Sequence, residues 1–453
     1  GAPAGIDDHP EAVGVFPMAS EPPSREFPLT SFDEGFANYI SMEDSPHGEA
    51  VLADLVRKKY IKIFNTLKEA QEHVGSEDLT MNKLALITTE REGTLKHRLI
   101  LDCRVSGTNS STTKHERIVL PRIGDLIRDA LILKRMEGQG KKLHFLVVDF
   151  EDAFYKVPLI KAEQRYFCVY YKKKWYVWSR VGQVSLNGPT LFGRLSAFVG
   201  RLSQALMCED EGRLEIYCDD PVATILATEK RAKRVSCILI MAWLCMGFGL
   251  SYHKGQFGDR VVWVGYELFN HPDKIQVKIK EEFMKGLAGL TQTLTAANKV
   301  RLKELRSYTG KANHVANLLW AWRPFLDALW AAVSVCKNTS HTKKSNAGKK
   351  QVWTKQIINS LSWIAAFLSL KHGPLIREWH TSYISQDGAN VIFVLDASPW
   401  GLGGILYVDG LPIAFFTSPL TQDDVRIHEY KLGDSRGQQN WECLAVLVAL
   451  RLW

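Results

Sequence analysis

Apolar and polar positions along this chain change period several times. Residues 49–72 place Val51, Leu52, Leu55, Val56, Ile61, Ile63, Phe64 and Leu67 at helical spacing, which predicts an amphipathic helix that could carry a break. Strand-like and helix-like segments then alternate to about residue 269. Short apolar runs at 84–88 and 98–101 predict one hairpin and 167–178 a second, with Lys172, Lys173 and Lys174 where its turn should fall. Helices are predicted over 120–133, starting near Pro121, over 190–206 and over 229–246. An apolar strand ends at Asp149, and two more apolar runs flank Asp219 and Asp220. From 274 to 335 the pattern is largely helical, including a stretch over 302–330. After a helix predicted over 352–370, residues 391–398 form an apolar strand holding Asp396. Gly401, Gly403 and Gly404 open a hairpin over 406–416, and 438–453 is a helix with Glu442 on its first turn. The fold class is α+β. The longest apolar run, 237–250, is too short to span a bilayer, so a packed helix and no membrane partner are expected.

Composition sharpens this outline. A chain of 453 residues with 46% hydrophobic content has room for two to four domains with buried cores. The net charge of +8 hides a split: residues 1–50 carry ten acids and one arginine, which leaves a surplus of 17 positive charges on the rest. Such a body suits a phosphate backbone, although proteins with neutral ligands can carry similar charge. Residues 1–48 also hold seven of the 17 prolines and no lysine, and are expected to be a flexible acidic leader without function. Residues 337–350, rich in Lys, Ser, Asn, Gly and Thr, read as a linker. The eight cysteines form no Cys-x-x-Cys pair and mostly sit in apolar segments, which points to buried thiols in an intracellular, reducing compartment. The chain starts at Gly1 with no visible signal peptide, and a piece of a longer polyprotein or an incomplete reading frame is expected.

The candidate chemistry lies in three carboxylates. Adjacent aspartates between buried strands repel each other and resist desolvation, so they stay ionised where a cation neutralises them. Asp219-Asp220-Pro221 is also ordinary turn chemistry. The strand aspartate Asp149 changes the balance, because three such groups on neighbouring strands can clamp two divalent ions for in-line phosphoryl transfer. Oxygen-only ligands suit Mg²⁺, with Mn²⁺ able to substitute.

Asp149-Phe-Glu-Asp-Ala-Phe154 and Tyr217-Cys-Asp-Asp220 resemble two palm motifs of retroelement reverse transcriptases. Four further motifs follow in the family's order. Arg98 to Arg104 with Asn109 resembles the fingers segment, and Gln183 with Asn187-Gly-Pro-Thr-Leu-Phe192 the template and nucleotide loop. Gly247-Phe-Gly-Leu-Ser-Tyr-His-Lys254 and Val261-Val-Trp-Val-Gly-Tyr266 resemble the last two palm motifs.

The resemblance implies a right-hand polymerase: fingers and palm over 49–269, thumb and connection helices over 270–336, the linker, and a connecting helix and loop over 351–388. It implies that Asp149, Asp219 and Asp220 bind two Mg²⁺, that Lys254 protonates pyrophosphate, and that Arg91 and Arg98 hold the triphosphate. Phe154 would exclude a 2′-hydroxyl, Gln183 would contact template or nucleotide, and Trp263, Val264, Gly265 and Tyr266 would form the primer grip. Partners would be an RNA template, a DNA primer, an RNA–DNA hybrid and deoxynucleoside triphosphates. Two positions depart from the family pattern: Val184 stands where Gly is common, and Pro221 where an aliphatic residue is common. Residues 389–453 resemble the start of a ribonuclease H domain, with Asp396 and Glu442 matching two of its four metal-binding acids, so no hybrid cleavage is expected from this chain. The function implied is an RNA-directed DNA polymerase of a retrotransposon. The alternative is a degenerate or co-opted nucleic-acid-binding remnant without catalysis.

Overall fold

The strand Asp220–Ala227 is buried along almost its whole length, and its alternate residues serve two cores. Val222 and Leu226 face one, while Ala223, Ile225 and Ala227 face the other, as the two-residue period of a pleated strand requires. Its neighbour Lys142–Val147 divides likewise, sending Leu143, Phe145 and Val147 one way and Leu146 the other. A computed structural model describes residues 1–8, 10–19, 28–91, 93–138, 140–183, 185–338, 351–370, 373–381 and 390–453, without the side chains of Arg91, Thr94 and residues 336–338. It falls into two compact units, Gly1–Thr381 and Ser382–Trp453.

In the first unit the central sheet is antiparallel, ordered Gln256–Gly258, Lys142–Val147, Asp220–Ala227 and Gly212–Tyr217. The helix Ile123–Lys134 packs on it through Ile123, Leu126, Ile127, Ala130 and Leu133, a helical stripe in one core. Helices Gly188–Gln204 and Glu229–Cys245 enter the other core, where the buried Trp243 indole donates to Ser203 Oγ at 2.9 Å. Lys83–Arg91 and Thr94–Asp102 form the first expected hairpin, and Cys168–Tyr171 and Lys174–Trp178 the second. The second turns at Lys172 and Lys173, both at positive φ.

Several expectations are corrected. Residues 49–72 are not one helix: Pro46–Arg57 and Leu67–Val74 are helical, but Ile61–Phe64 is a strand paired with Lys174–Trp178. Tertiary pairing overrides the helical spacing there, and Thr66 with Glu69 caps the second helix. The 302–330 stretch divides into Leu302–Leu318, a short turn at Trp320–Trp322, and Arg323–Asn338. The 352–370 segment opens with the strand Gln351–Trp353 before its helix Ile358–Leu368. The strand Ile376–His380, unforeseen, is the fourth of a sheet with Arg260–Trp263, Tyr266–Asn270 and Lys274–Ile279. Of the linker expected over 337–350, residues 339–350 lie outside the described residues.

The flexible acidic leader is also corrected for its described part. Ala4 is fully buried, Ala2 bridges to Leu159, and Phe32 packs edge-on to Trp175 at 4.7 Å between ring centres. Proline content and missing periodicity mark irregular backbone, which here is held by buried carboxylates instead of by a regular element.

The second unit has three antiparallel strands in chain order, Val391–Ser398, Gly401–Val408 and Leu411–Pro419, with the helix Gln438–Leu452 against them. Ala397, Leu402, Leu420, Trp441 and Ala445 form its small core. The outer edge of Val391–Ser398 pairs with no strand among the described residues. No helix among them is long and apolar enough to cross a membrane.

Candidate active site

Asp149 lies two residues beyond the end of Lys142–Val147, and backbone hydrogen bonds fix it beside the turn that carries Asp219 and Asp220. Phe150 N–H donates to the Asp219 carbonyl at 2.8 Å, and Val148 N–H to the Pro221 carbonyl at 3.3 Å. Pro221 is thus accommodated as the second residue of its strand. Ser251 N–H donates to the Asp149 carbonyl at 2.9 Å, which brings the segment 249–254 against the same point.

The aspartate turn is a two-residue connection closed by the pair Tyr217 and Asp220. Cys218 sits at φ +54°, a left-handed conformation that costs a residue with a Cβ about 1–2 kcal/mol. The turn is tied from behind by Ser196 Oγ donating to the Cys218 carbonyl at 3.1 Å, and by Trp263 Nε1 donating to the Asp220 carbonyl at 2.9 Å.

Charge is concentrated here. Burial first, and then the charges of Asp219 and Asp149, push the Asp220 carboxyl up to about 6. Asp219 is also raised, chiefly by burial, with Lys254 and Arg98 pulling the other way. The Asp149 carboxylate is satisfied differently: Lys254 Nζ lies 2.6 Å from Oδ2, and Ser251 Oγ donates to Oδ1 at 3.0 Å. Among the described residues, no three His, Cys, Asp or Glu side chains are gathered closely enough to hold a metal ion as they stand. The donor set still suits a hard divalent cation, being all oxygen with two of its three carboxylates short of positive charge.

The other candidate residues are placed as follows. Arg98 is exposed on the strand Thr94–Asp102, close enough for its charge to act on Asp219. Arg91 ends the paired strand, and its side chain lies outside the described residues, as does Val184. Phe154 stands on a short turn, its ring 5.2 Å from the buried Phe192. Gln183 is exposed. Trp263 and Tyr266 are buried and bracket a tight turn at Val264 and Gly265, both at positive φ. Gly265 fits this conformation, whereas the β-branched Val264 is strained in it. Tyr266 OH donates to the His314 carbonyl at 2.8 Å, fastening this turn to the helix Leu302–Leu318.

Ser251 and the Trp263 indole belong to motifs legible in the sequence, but their hydrogen bonds to Asp149 and Asp220 have no linear signature. In the second unit, Gln438 Nε2 donates to the Ala397 carbonyl at 2.6 Å and to Glu442 Oε1 at 2.8 Å, which ties Glu442 to the residue following Asp396.

A second acidic group sits on the strand that leads into the aspartate turn. Burial, and then the neighbouring Asp129, push the Glu215 carboxyl up to about 7. Because this lies above the ordinary carboxylate value, the folded protein keeps a proton that the unfolded chain gives up. The resulting stability is fully present below about pH 4.5 and is lost as pH rises through about 7. Glu215→Gln is therefore expected to match the parent at pH 4.5 and to exceed its stability by about 1–2 kcal/mol at pH 8, measured by urea denaturation.

No family model matches the chain. No curated protein matches it either. Solved structures similar to it include a foamy viral protease-reverse transcriptase dRH in complex with double-stranded DNA, at 18% identity over 90% of this chain and 61% of that one, with a TM-score of 0.49. A foamy viral protease-reverse transcriptase in complex with RNA/DNA hybrid is 17% identical over 98% of this chain and 49% of that one, with a TM-score of 0.49. The same protein type in complex with double-stranded DNA gives 17% identity, 90% and 74% coverage, and a TM-score of 0.47. The chain thus spans 61% and 49% of the first two.

Proposed function

We propose that this chain is the polymerase part of a retrotransposon RNA-directed DNA polymerase, extending a primer 3′-hydroxyl on an RNA or DNA template. The observation that carries this reading is the hydrogen-bonded approach of Asp149 to the Asp219–Asp220 turn, joined to six motifs in family order. On this reading residues 49–269 are fingers and palm and 270–336 thumb and connection, while 389–453 begin a ribonuclease H-like domain.

Asp149, Asp219 and Asp220 would hold two Mg²⁺, with Asp149 turning from Lys254 to do so. Bound magnesium supplies acidity to the attacking hydroxyl and neutralises the leaving pyrophosphate. Lys254, once released, would give a proton to that pyrophosphate, and Arg98 and Arg91 would bind the triphosphate by charge-assisted hydrogen bonds. The tight turn at Val264 and Gly265 would hold the primer end, and Gln183 would contact template or nucleotide.

Phe154, whose ring lies 5.2 Å from that of Phe192, would leave no space for a 2′-hydroxyl. Phe154→Ala is expected to reduce discrimination against ribonucleotides by about 10²-fold in single-nucleotide extension. Unchanged sugar selectivity removes this role from Phe154.

The Lys254–Asp149 ion pair favours a second reading, a nucleic-acid-binding remnant whose basic side chain has taken the place of a cation. Primer extension on an RNA template separates the two. Extension that requires Mg²⁺ or Mn²⁺ supports the polymerase, whereas template binding without extension under either ion supports the remnant.

A further inference from the structure

The irregular N-terminal segment grips a fully buried carboxylate. Glu163 accepts backbone N–H bonds from Ala4, from Ile6 at 2.8 Å, from Asp7 at 2.9 Å and from Asp8 at 3.1 Å. The Asp7 side chain pairs with Arg165 at 2.8 Å and accepts from Tyr166 OH at 2.5 Å. A buried carboxylate is costly unless donors surround it, so the segment is held wherever Glu163 remains buried.

The carbonyls of this strap meet the loop that carries Gln183. Buried Asn187 donates through Nδ2 to the Ala4 carbonyl at 2.9 Å and to the Thr113 carbonyl at 2.7 Å. Thr113 N–H in turn donates to the Gly5 carbonyl at 2.7 Å. Asn109 Oδ1 accepts from Leu186 N–H at 3.0 Å on the loop's other side. Asn187 immediately precedes the helix Gly188–Gln204, which carries Phe192 against Phe154. Gly5 has φ +96°, and a Cβ there would lie 2.5 Å from Asn187 Nδ2, so this contact admits only glycine.

We infer that residues 2–8 are a positioning strap for the segment 185–188, acting through Asn187, and that they set nucleotide affinity at the site proposed above. The inference rests on that polymerase reading for its kinetic consequence and on geometry alone for the coupling. The variants are Gly5→Val, Asn187→Ala and the two together in the full chain. Each single variant is expected to raise KM for the deoxynucleotide by roughly tenfold while kcat stays within about twofold. Amide hydrogen exchange at 185–188 is expected to accelerate by about tenfold or more, with other regions unmoved. Because both changes disrupt the same contact between Asn187 and the strap, the double variant is expected to do no more than the stronger single one.

Unchanged exchange and KM in both single variants, or additive effects in the double, overturn the strap. Asn187→Ala removes no strap residue, so it still decides the matter if Gly5→Val does not fold. Should the parent extend no primer, the polymerase reading fails by itself, and exchange at 185–188 still tests the coupling.

Discussion

Asp219→Asn is expected to lower metal-dependent primer extension by at least ~10³-fold while leaving the protein as stable as the parent or more so. The two halves of this outcome have one cause. Burial and the nearby Asp149 raise the Asp219 carboxyl above its ordinary value, so its negative charge is held at a cost to the fold. A neutral amide of the same shape removes that cost and the repulsion on Asp220. It also removes a ligand that the proposed cation pair requires. Stability is read by urea denaturation, and activity by extension of a labelled primer with Mg²⁺. A variant retaining activity within tenfold of the parent would falsify the assignment of Asp219 as a metal ligand.

Trp263→Ala carries the second large effect, an expected loss of about 3–5 kcal/mol from removing a buried indole. Trp263 is 2% exposed, sits in the core that includes Tyr266 and Leu268, and meets Tyr217 edge-on at 6.3 Å. Its Nε1 also holds the Asp220 carbonyl, so packing and site geometry are lost together. Trp263→Phe separates them. It keeps most of the apolar volume and is expected to cost only about 1–2 kcal/mol, yet it frees the turn and should lower extension by about tenfold. If the phenylalanine variant extends primers at the parental rate, the indole serves the core alone.

Much of this organisation was legible in the sequence because it depends on local rules. Apolar period located the strands Lys142–Val147 and Asp220–Ala227 and the helices Ile123–Lys134 and Glu229–Cys245 to within a few residues. The same period misread Ile61–Phe64, whose partner lies more than 100 residues away at Lys174–Trp178. The strand Ile376–His380 has only five half-buried residues and pairs with Lys274–Ile279, so short-range pattern had little to report. At the site, Asp149, Asp219 and Asp220 stood out as charges set among apolar neighbours. Their restraints did not, because Ser251 reaches Asp149, the Trp263 indole Asp220 and Ser196 the neighbouring Cys218 carbonyl across space. The N-terminal segment was misjudged for a related reason. Proline and acid content predict irregular backbone, but they do not reveal that a buried glutamate elsewhere collects its amides.

That glutamate has a kinetic meaning. Residues 4–8 find their partner 155 to 159 positions further along, and a closure of such span is entropically slow compared with hairpins and helices that join near neighbours. Until it happens, the Glu163 carboxylate cannot be sealed away from water without donors. The central antiparallel sheet is therefore expected to assemble early, and the segment 185–188, tied to this stretch through Asn187, is expected to order late.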